Sequence, residues 1–326
     1  VRELLAEDGR IVGVVVERDG ERVEVRATRG VVVAAGGFDH NLELRRKHQS
    51  EALQPGWSVA STDNQGDLLD IAGAHGAAFT LLEQAWWFPS IGPAEGGTVA
   101  PTLAERSLPG QIIVAGTGTR FLYEAVNYIT AGQFLLGLDD GEPPHLPAWM
   151  VMDQRYRNQY PLGAGMVMPG QALPKDWVER GMAHTADTLE ELARLLEMPD
   201  LPETVARFNV MADQGNDADF GRGSSAYDRY YGDPAVTPNP CLGALRKPPF
   251  HAVRIVPSDL GTCGGLKADA RGRVLSTEDA PIPGLYAIGN AAGNVFGAYY
   301  PGPGATIGQG LTFGYIAAAH AAGQIE

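Results

Sequence analysis

Tyr299-Tyr300-Pro301-Gly302-Pro303-Gly304-Ala305-Thr306-Ile307-Gly308-Gln309-Gly310 is the stretch that decides how this chain is read. It follows a strand-like segment, Gly284-Leu285-Tyr286-Ala287-Ile288-Gly289-Asn290, and precedes a small-residue helical pattern from Leu311 to Ala322. Strand, glycine-rich turn and helix in that order aim unpaired backbone N–H groups, and the positive end of a helix dipole, at an anion or an electron-rich ring. Pro301 and Pro303 fix backbone dihedrals and stiffen the loop. A stiff loop carrying a phenol beside free N–H groups suits the polarisation of a carbonyl. The glycines alone fit a tight strand-to-helix turn without a ligand equally well.

Working outward, residues 1–40 read as β structure. Arg10 to Glu17 alternates around Ile11, Val14, Val15 and Val16, an Asp19-Gly20 turn follows, then Glu21 to Arg26, then Val31 to Ala35. Asp-Gly between such runs is a hairpin signal, because a type I′ turn needs two positive φ angles. Helical spacing follows in Asn41 to Glu51 and in Gly66 to Gly76, where Leu68, Leu69, Ile71 and Ala72 share a face. The middle of the chain mixes loops rich in Pro and Gly with two helical patterns, Thr188 to Leu196 and Pro202 to Gln214. Thr188, followed by Glu190 and Glu191, is a plausible N-cap for the first of them. The final segment returns to strand, turn and helix.

With 326 residues and 44% hydrophobic content, the chain can bury a large core, yet no apolar run reaches the ~18 residues of a membrane span. A net charge of -14 argues against nucleic-acid binding and does nothing to draw in an anionic substrate. A neutral, lipophilic ligand is compatible. Cys241 and Cys263 lie far apart and the seven histidines are scattered without ligand spacing, so no metal site is expected. The cysteine usage fits a reducing cytoplasm. Asp217 to Asp233, with Tyr227, Tyr230 and Tyr231, does not match a calcium loop and reads as a surface segment between domains. Trp86-Trp87-Phe88-Pro89 fits either the wall of a pocket for a flat apolar ligand or core packing at a domain junction.

The C-terminal strand and loop together resemble the flavin motif of the 3-ketosteroid Δ1-dehydrogenases, in the fumarate reductase/succinate dehydrogenase flavoprotein superfamily. Further matches run in order along the chain. Val31-Val32-Val33-Ala34-Ala35-Gly36-Gly37-Phe38 resembles the strand closing the first part of the flavin domain. Gly118-Thr119-Arg120-Phe121-Leu122-Tyr123-Glu124 with Tyr128 resembles the family's Arg-Phe-x-Asn-Glu stretch and its tyrosine. Gly261-Thr262-Cys263-Gly264-Gly265-Leu266, with Asp269 and Arg273-Val274-Leu275, resembles the return into the flavin domain. The resemblance implies an α/β fold with an α+β cap. A Rossmann-like FAD-binding domain would comprise residues 1–88 and 258–326, with a substrate-capping domain, 89–257, inserted between them. No Gly-x-Gly-x-x-Gly follows a strand-like run, so the fingerprint that seats a dinucleotide pyrophosphate is missing. The flavin domain is therefore expected to be incomplete at its N-terminus. The 326-residue chain alone is expected to be inactive and to bind FAD weakly.

The implied reaction removes a hydride from C1 and a proton from C2 of a 3-keto steroid, with FAD as hydride sink and a separate electron acceptor regenerating it. Donors on the carbonyl oxygen act as an oxyanion hole, each worth about 3 kcal/mol when well placed. The resemblance assigns that pair to the Tyr300 hydroxyl and the Gly304 N–H, and the C2 base to Tyr128. Tyr300 also fits an aromatic plug, and Tyr128 an ordinary core tyrosine. Tyr123 stands where Asn is usual, and a tyrosine of ordinary pKa about 10 is a poor base. The family's assisting tyrosine would lie outside this chain. Flavin contacts carried over are Ala35, Gly36, Asn64, Asp67, Gly289, Asn290, Ala305, Thr306 and Ile307. Asn290 replaces a common Glu, and Gln65 a common Thr beside Asn64. Three competing readings remain. A Δ4-(5α)-type steroid dehydrogenase fits the Pro-Gly-Pro-Gly loop less well, and a fumarate-type reductase would need cations that this loop lacks. The last is a truncated domain without cofactor.

Overall fold

The structure is a computed structural model, and it describes residues 1–92, 99–138 and 141–325. It divides into two units, one of Val1–Glu51, Ala60–Trp86 and the chain from Leu260 onward, the other of Ala52–Val59 and Trp87–Asp259.

In the first unit an antiparallel meander is formed by Glu3–Glu7, Arg10–Arg18 and Glu21–Arg26. Both of its turns are Asp-Gly pairs with positive φ, Asp8-Gly9 at 47° and 77° and Asp19-Gly20 at 55° and 82°, as tight hairpins with right-handed strand twist require. Ile11 and Val15 are buried on one face of the central strand. Ile11 joins Val33, Val274, Leu285 and Ala287 in one core. That core holds a second sheet in which Val31–Val33 runs parallel to the strand Pro281–Ala287, pairing Leu285 with Val31 and Ala287 with Val33. Arg273–Leu275 closes its other side. The parallel pair needs a crossover connection, and the chain between these strands supplies it by travelling through the whole second unit. The strand Pro281–Ala287 leads through the loop to the helix Ala305–Ala321. The Tyr286 hydroxyl meets His320 Nδ1 at 2.9 Å and fixes helix to strand. Along this helix Ile307, Leu311 and Tyr315 form an exposed row, each about 70% accessible or more.

The second unit is built on a six-stranded sheet. Phe250–Thr262 pairs with Ala148–Asp153 and with Ala183–Ala186, and Ala148–Asp153 pairs with Gln111–Val114, all antiparallel. Successive side chains point to opposite faces. Ile113, Met150 and Met152 enter one core with Leu135 and Val253, while Ile112, Val114 and Val151 enter another with Val205 and Phe208 of the helix Leu201–Gln214. Both faces are covered, so these strands carry continuous apolar runs. Thr188 caps the helix Leu189–Leu195 by accepting the Glu191 N–H at 3.1 Å.

The segment Asp217 to Asp233 is exposed at Tyr227 and Tyr230, as expected of a surface segment, but three of its charged residues are not. Asp217, Arg222 and Asp228 are buried inside the second unit. Arg120 donates to both Glu124 (2.8 Å) and Asp217 (2.8 Å), and Arg222 donates to Glu124 (3.0 Å). Phe208 and Phe220 lie against the Arg120 guanidinium at 5.0 and 4.9 Å. Composition shows the charges of the segment but not the partners that neutralise them a hundred residues away. Arg106 adds donors to the carbonyls of Glu124 (2.7 Å) and Val126 (3.0 Å), so the chain entering the helix Tyr128–Leu136 is clamped from both sides.

Burial pushes the Glu124 and Asp217 carboxyls up, but the arginines outweigh it and hold both below the usual carboxylate range. Their contribution to stability is therefore present above the unfolded-state carboxylate pKa and is lost as pH falls through the depressed folded values. Glu124→Gln leaves two buried guanidinium groups undercompensated and is expected to cost about 3–5 kcal/mol. Urea denaturation at pH 7 measures this, and a loss below about 1 kcal/mol would show the cluster to be no better than a surface pair.

Candidate functional site

The end of the strand Val31–Val33 delivers Ala35 and then Gly36, whose φ of +75° suits only a residue without a side chain. A Cβ on Gly36 would collide with Asn64 Oδ1, and one on Gly37 with Thr262 Oγ1. The reason for this crowding is Asp39, a buried carboxylate. Its Oδ2 accepts from Asn64 Nδ2 at 2.6 Å, and its Oδ1 accepts the Thr262 N–H. The Phe38 N–H donates to Thr262 Oγ1 at 3.3 Å. One side chain thus ties together three segments distant in sequence.

The second wall comes from the strand Pro281–Ala287. Gly289 and Asn290 follow it, and the Asn290 Oδ1 accepts from Trp86 Nε1 at 3.2 Å. The Trp86 ring in turn meets the Tyr300 ring edge-on, centroids 5.4 Å apart. Burial pushes the Tyr300 phenol up from its ordinary pKa, which keeps it a hydrogen-bond donor at neutral pH. The helix Ala305–Ala321 begins at Gly304, φ 93°, with no side-chain cap. The Ala305 N–H returns to Gly302 (3.2 Å) and the Gly308 N–H to Gly304 (2.7 Å). The N–H groups of Gly304, Thr306 and Ile307 have no partner among the described residues.

A cavity of about 330 Å³ brings Gly36, Gly289, Asn290, Thr306 and Ile307 together. A second, of about 150 Å³, brings Ala35, Gly36, Asp67 and Asn290 to the glycines Gly264 and Gly265. Asn64 backs Gly36 from behind, and Ala305 opens the helix without lining either cavity. Asp67 opens the helix Asp67–Gly73, preceded by Gly66 at φ 78°. Tyr128 belongs to the other unit, where it is buried at the start of the helix Tyr128–Leu136 with its ring 4.6 Å from Phe88. Sequence reading did not single out Asp39 or Thr262, nor the tie between Trp86 and Asn290. The one available signal was Asp39 directly after Gly-Gly-Phe.

Gly36, Gly264, Gly265 and Gly289 bring bare backbone to the walls, Leu68, Leu69 and Ile307 add apolar surface, Asp63 and Asp67 add carboxylates, and no lysine, arginine or histidine lines either cavity. Such a surface fits a neutral planar ring edged with carbonyl and nitrogen acceptors, which is the description of an isoalloxazine. It offers no basic side chain for a diphosphate. Among the described residues no group of acids, cysteines and histidines could hold a metal ion, and no helix is long and apolar enough to cross a membrane.

Comparison with known proteins agrees with this geometry. The model of the FAD binding domain family matches residues 1–307. A 3-oxosteroid 1-dehydrogenase of Mycolicibacterium smegmatis is 45% identical over 329 residues, covering 97% of this chain and 57% of the relative. A 4-oxocyclohexanecarboxylate 2-dehydrogenase of Sinomonas cyclohexanicum is 40% identical, covering 97% of this chain and 54% of its own length. The crystal structure of 3-ketosteroid Δ1-dehydrogenase from Sterolibacterium denitrificans, in complex with 1,4-androstadiene-3,17-dione, superposes with a TM-score of 0.93 at 39% identity. It covers 99% of this chain, which spans 59% of that structure. The chain therefore spans a little over half the length of the relatives it matches.

A ring site without a diphosphate site has a measurable consequence. FAD and riboflavin are expected to bind this chain with affinities within about tenfold of each other, since no Gly-x-Gly-x-x-Gly follows a strand here to seat the extra phosphates. Flavin fluorescence titration checks this. FAD binding a hundredfold or more tighter than riboflavin would reveal a diphosphate site in these residues.

Proposed function

The chain belongs to the FAD binding domain family, and on that premise we propose that it carries the site of an FAD-dependent dehydrogenase that introduces the C1–C2 double bond into 3-ketosteroids. The observation that carries this reading is the loop from Tyr300 to Gly304. It sets a phenol and an unpaired backbone N–H beside the helix start, and it contains no cation. A dicarboxylate substrate would need positive charge there, whereas a ketone needs only donors. The similarity to curated 3-oxosteroid 1-dehydrogenases supports the choice of a steroid.

In the proposed mechanism the Tyr300 hydroxyl and the Gly304 N–H donate to the C3 oxygen. Negative charge grows on that oxygen as the C2 proton leaves, so donors aimed at it stabilise the transition state more than the ground state. Trp86 orients the phenol by its edge-on contact. Tyr128, as its phenolate, takes the proton from C2 and becomes a phenol, and the electron pair of that bond becomes the new double bond as a hydride departs from C1. Bound FAD supplies the acceptor for this hydride. Clamping by Arg106 and by the Glu124 cluster fixes the backbone that presents Tyr128. An electron acceptor then takes two electrons from the enzyme in a second half-reaction. Cys241 and Cys263, both buried and not joined in a disulfide, suit the reducing cytoplasm proposed for it. The Sinomonas relative favours a second substrate reading, a smaller six-membered ring ketone desaturated beside its carbonyl by the same donors.

In the flavin-loaded enzyme, Tyr300→Phe is expected to lower turnover of 4-androstene-3,17-dione by about 10²-fold while leaving flavin affinity nearly unchanged. Steady-state kinetics and a flavin titration of the variant check this together, and undiminished turnover would remove Tyr300 from the mechanism. Product analysis with 4-androstene-3,17-dione, 4-oxocyclohexanecarboxylate and fumarate separates the substrate readings. Turnover of fumarate alone would exclude both ketone readings.

A further inference from the structure

The first unit contains another cavity that the site above does not use. It measures about 450 Å³, within the size range of small-molecule sites. It lies on the Arg273–Leu275 side of the strand Pro281–Ala287, under the helix Ala305–Ala321, and all its walls come from this unit. Leu81, Ala268, Ile288, Val295 and Phe313 make the lining largely apolar. Ile288 and Gly289 also line the flavin cavity, so the two spaces are separated by a single strand end.

Lys267, Asp269 and Asn294 at the border already have partners. Lys267 Nζ donates to Asp279 at 2.6 Å. Asp269 accepts the Arg271 and Arg273 N–H groups at 2.9 and 3.0 Å and Arg273 Nε at 2.7 Å. Asn294 is engaged by Phe296 and Gly297. Gln309 is different. Its side chain is 93% buried, corresponding to 7% accessibility. Its Oε1 accepts the Val295 N–H at 3.2 Å, which fixes the amide orientation. The Nε2 donor has no partner among the described residues, although Gln309 lines the cavity. The Nε2 atom is not among the sealed, unsatisfied groups of the interior, so its donor opens onto the cavity and is available to an acceptor carried by a ligand.

We propose that this cavity is a second ligand site, distinct from the flavin site, for a small neutral ring compound bearing a carbonyl, with Gln309 Nε2 donating to the carbonyl oxygen. An apolar lining beside the Phe313 ring selects a flat, uncharged body, and the Gln309 donor selects an acceptor on it. Two sources share this chemistry, a quinone and a ring-ketone steroid. The inference concerns binding alone and stands whether or not the chain serves steroid desaturation.

The test uses the full chain without flavin and two probes, 2-methyl-1,4-naphthoquinone and 4-androstene-3,17-dione. Binding is followed by calorimetry and by methyl NMR. Saturable binding is expected to shift the Val295 methyls and leave those of Ile307, which line only the flavin cavity, in place. Gln309→Glu keeps the side-chain shape and the acceptor for Val295 but removes the donor, and is expected to weaken binding at least about tenfold. Val295→Trp obstructs the mouth from a position 53% exposed, where folding is little disturbed, and is expected to abolish binding. Preference for the naphthoquinone assigns the site to a quinone, and preference for the dione assigns it to a ring ketone. The proposal is overturned if neither probe binds saturably, if Ile307 shifts instead of Val295, or if binding is indifferent to both substitutions.

Discussion

The buried carboxylate of Asp39 is the constraint on which the first unit's site rests. It accepts from Asn64 and from the Thr262 backbone, and so joins the end of an N-terminal strand to a loop and to a strand some 220 residues later, the separation from Thr262 being 223. An unpaired buried carboxylate is costly, so its donors are held as firmly as it is. The glycines beside it follow from that closeness. Gly36 and Gly37 leave no room for a Cβ because Asn64 and Thr262 have been drawn in. A surface of bare backbone results, and bare backbone is what a flat heteroaromatic ring can lie against.

The second unit answers a different demand. Its sheet is covered on both faces, and its charged residues are paired internally at Glu124, Arg120, Arg222 and Asp217. A buried cluster of this kind adds little net stability compared with an apolar core, yet it penalises any other arrangement of the segments that carry it. Those segments include the one entering Tyr128. Fixing that entry by charge and by two carbonyl contacts from Arg106 gives the tyrosine a defined backbone origin.

Local rules made much of the fold legible. Asp19-Gly20 specified its turn, Thr188 its helix start, and the alternation in Arg10 to Glu17 its buried face, because each is decided by neighbours within a few residues. The order of strand, loop and helix around Tyr300 was legible for the same reason, although the helix begins at Ala305 and not at the expected Leu311. Pairings across long separations were not legible. Nothing near Asp217 indicates that Arg120 will neutralise it, and nothing near Asn290 indicates the indole of Trp86, 204 residues away. Within segment 217–233 the burial of Asp217, Arg222 and Asp228 was not legible, because the charges were visible and their partners were not. Residues quoted for the site came from motif resemblance, and the cavities gather most of those belonging to the first unit. Asp39, which holds them in place, matched no motif.

Gly304 bears on how such a site can evolve. Of the two donors assigned to the carbonyl, one is a side chain and the other is a main-chain amide at a left-handed turn. Ordinary codon changes can delete the phenol, but no side-chain replacement deletes an amide hydrogen, proline being the sole residue without one. Half of the polarising machinery is therefore hidden from genetic drift in composition and exposed only to changes in backbone shape. Laboratory dissection of that half calls for an amide-to-ester exchange at Gly304, introduced by chemical synthesis or semisynthesis, in place of mutagenesis.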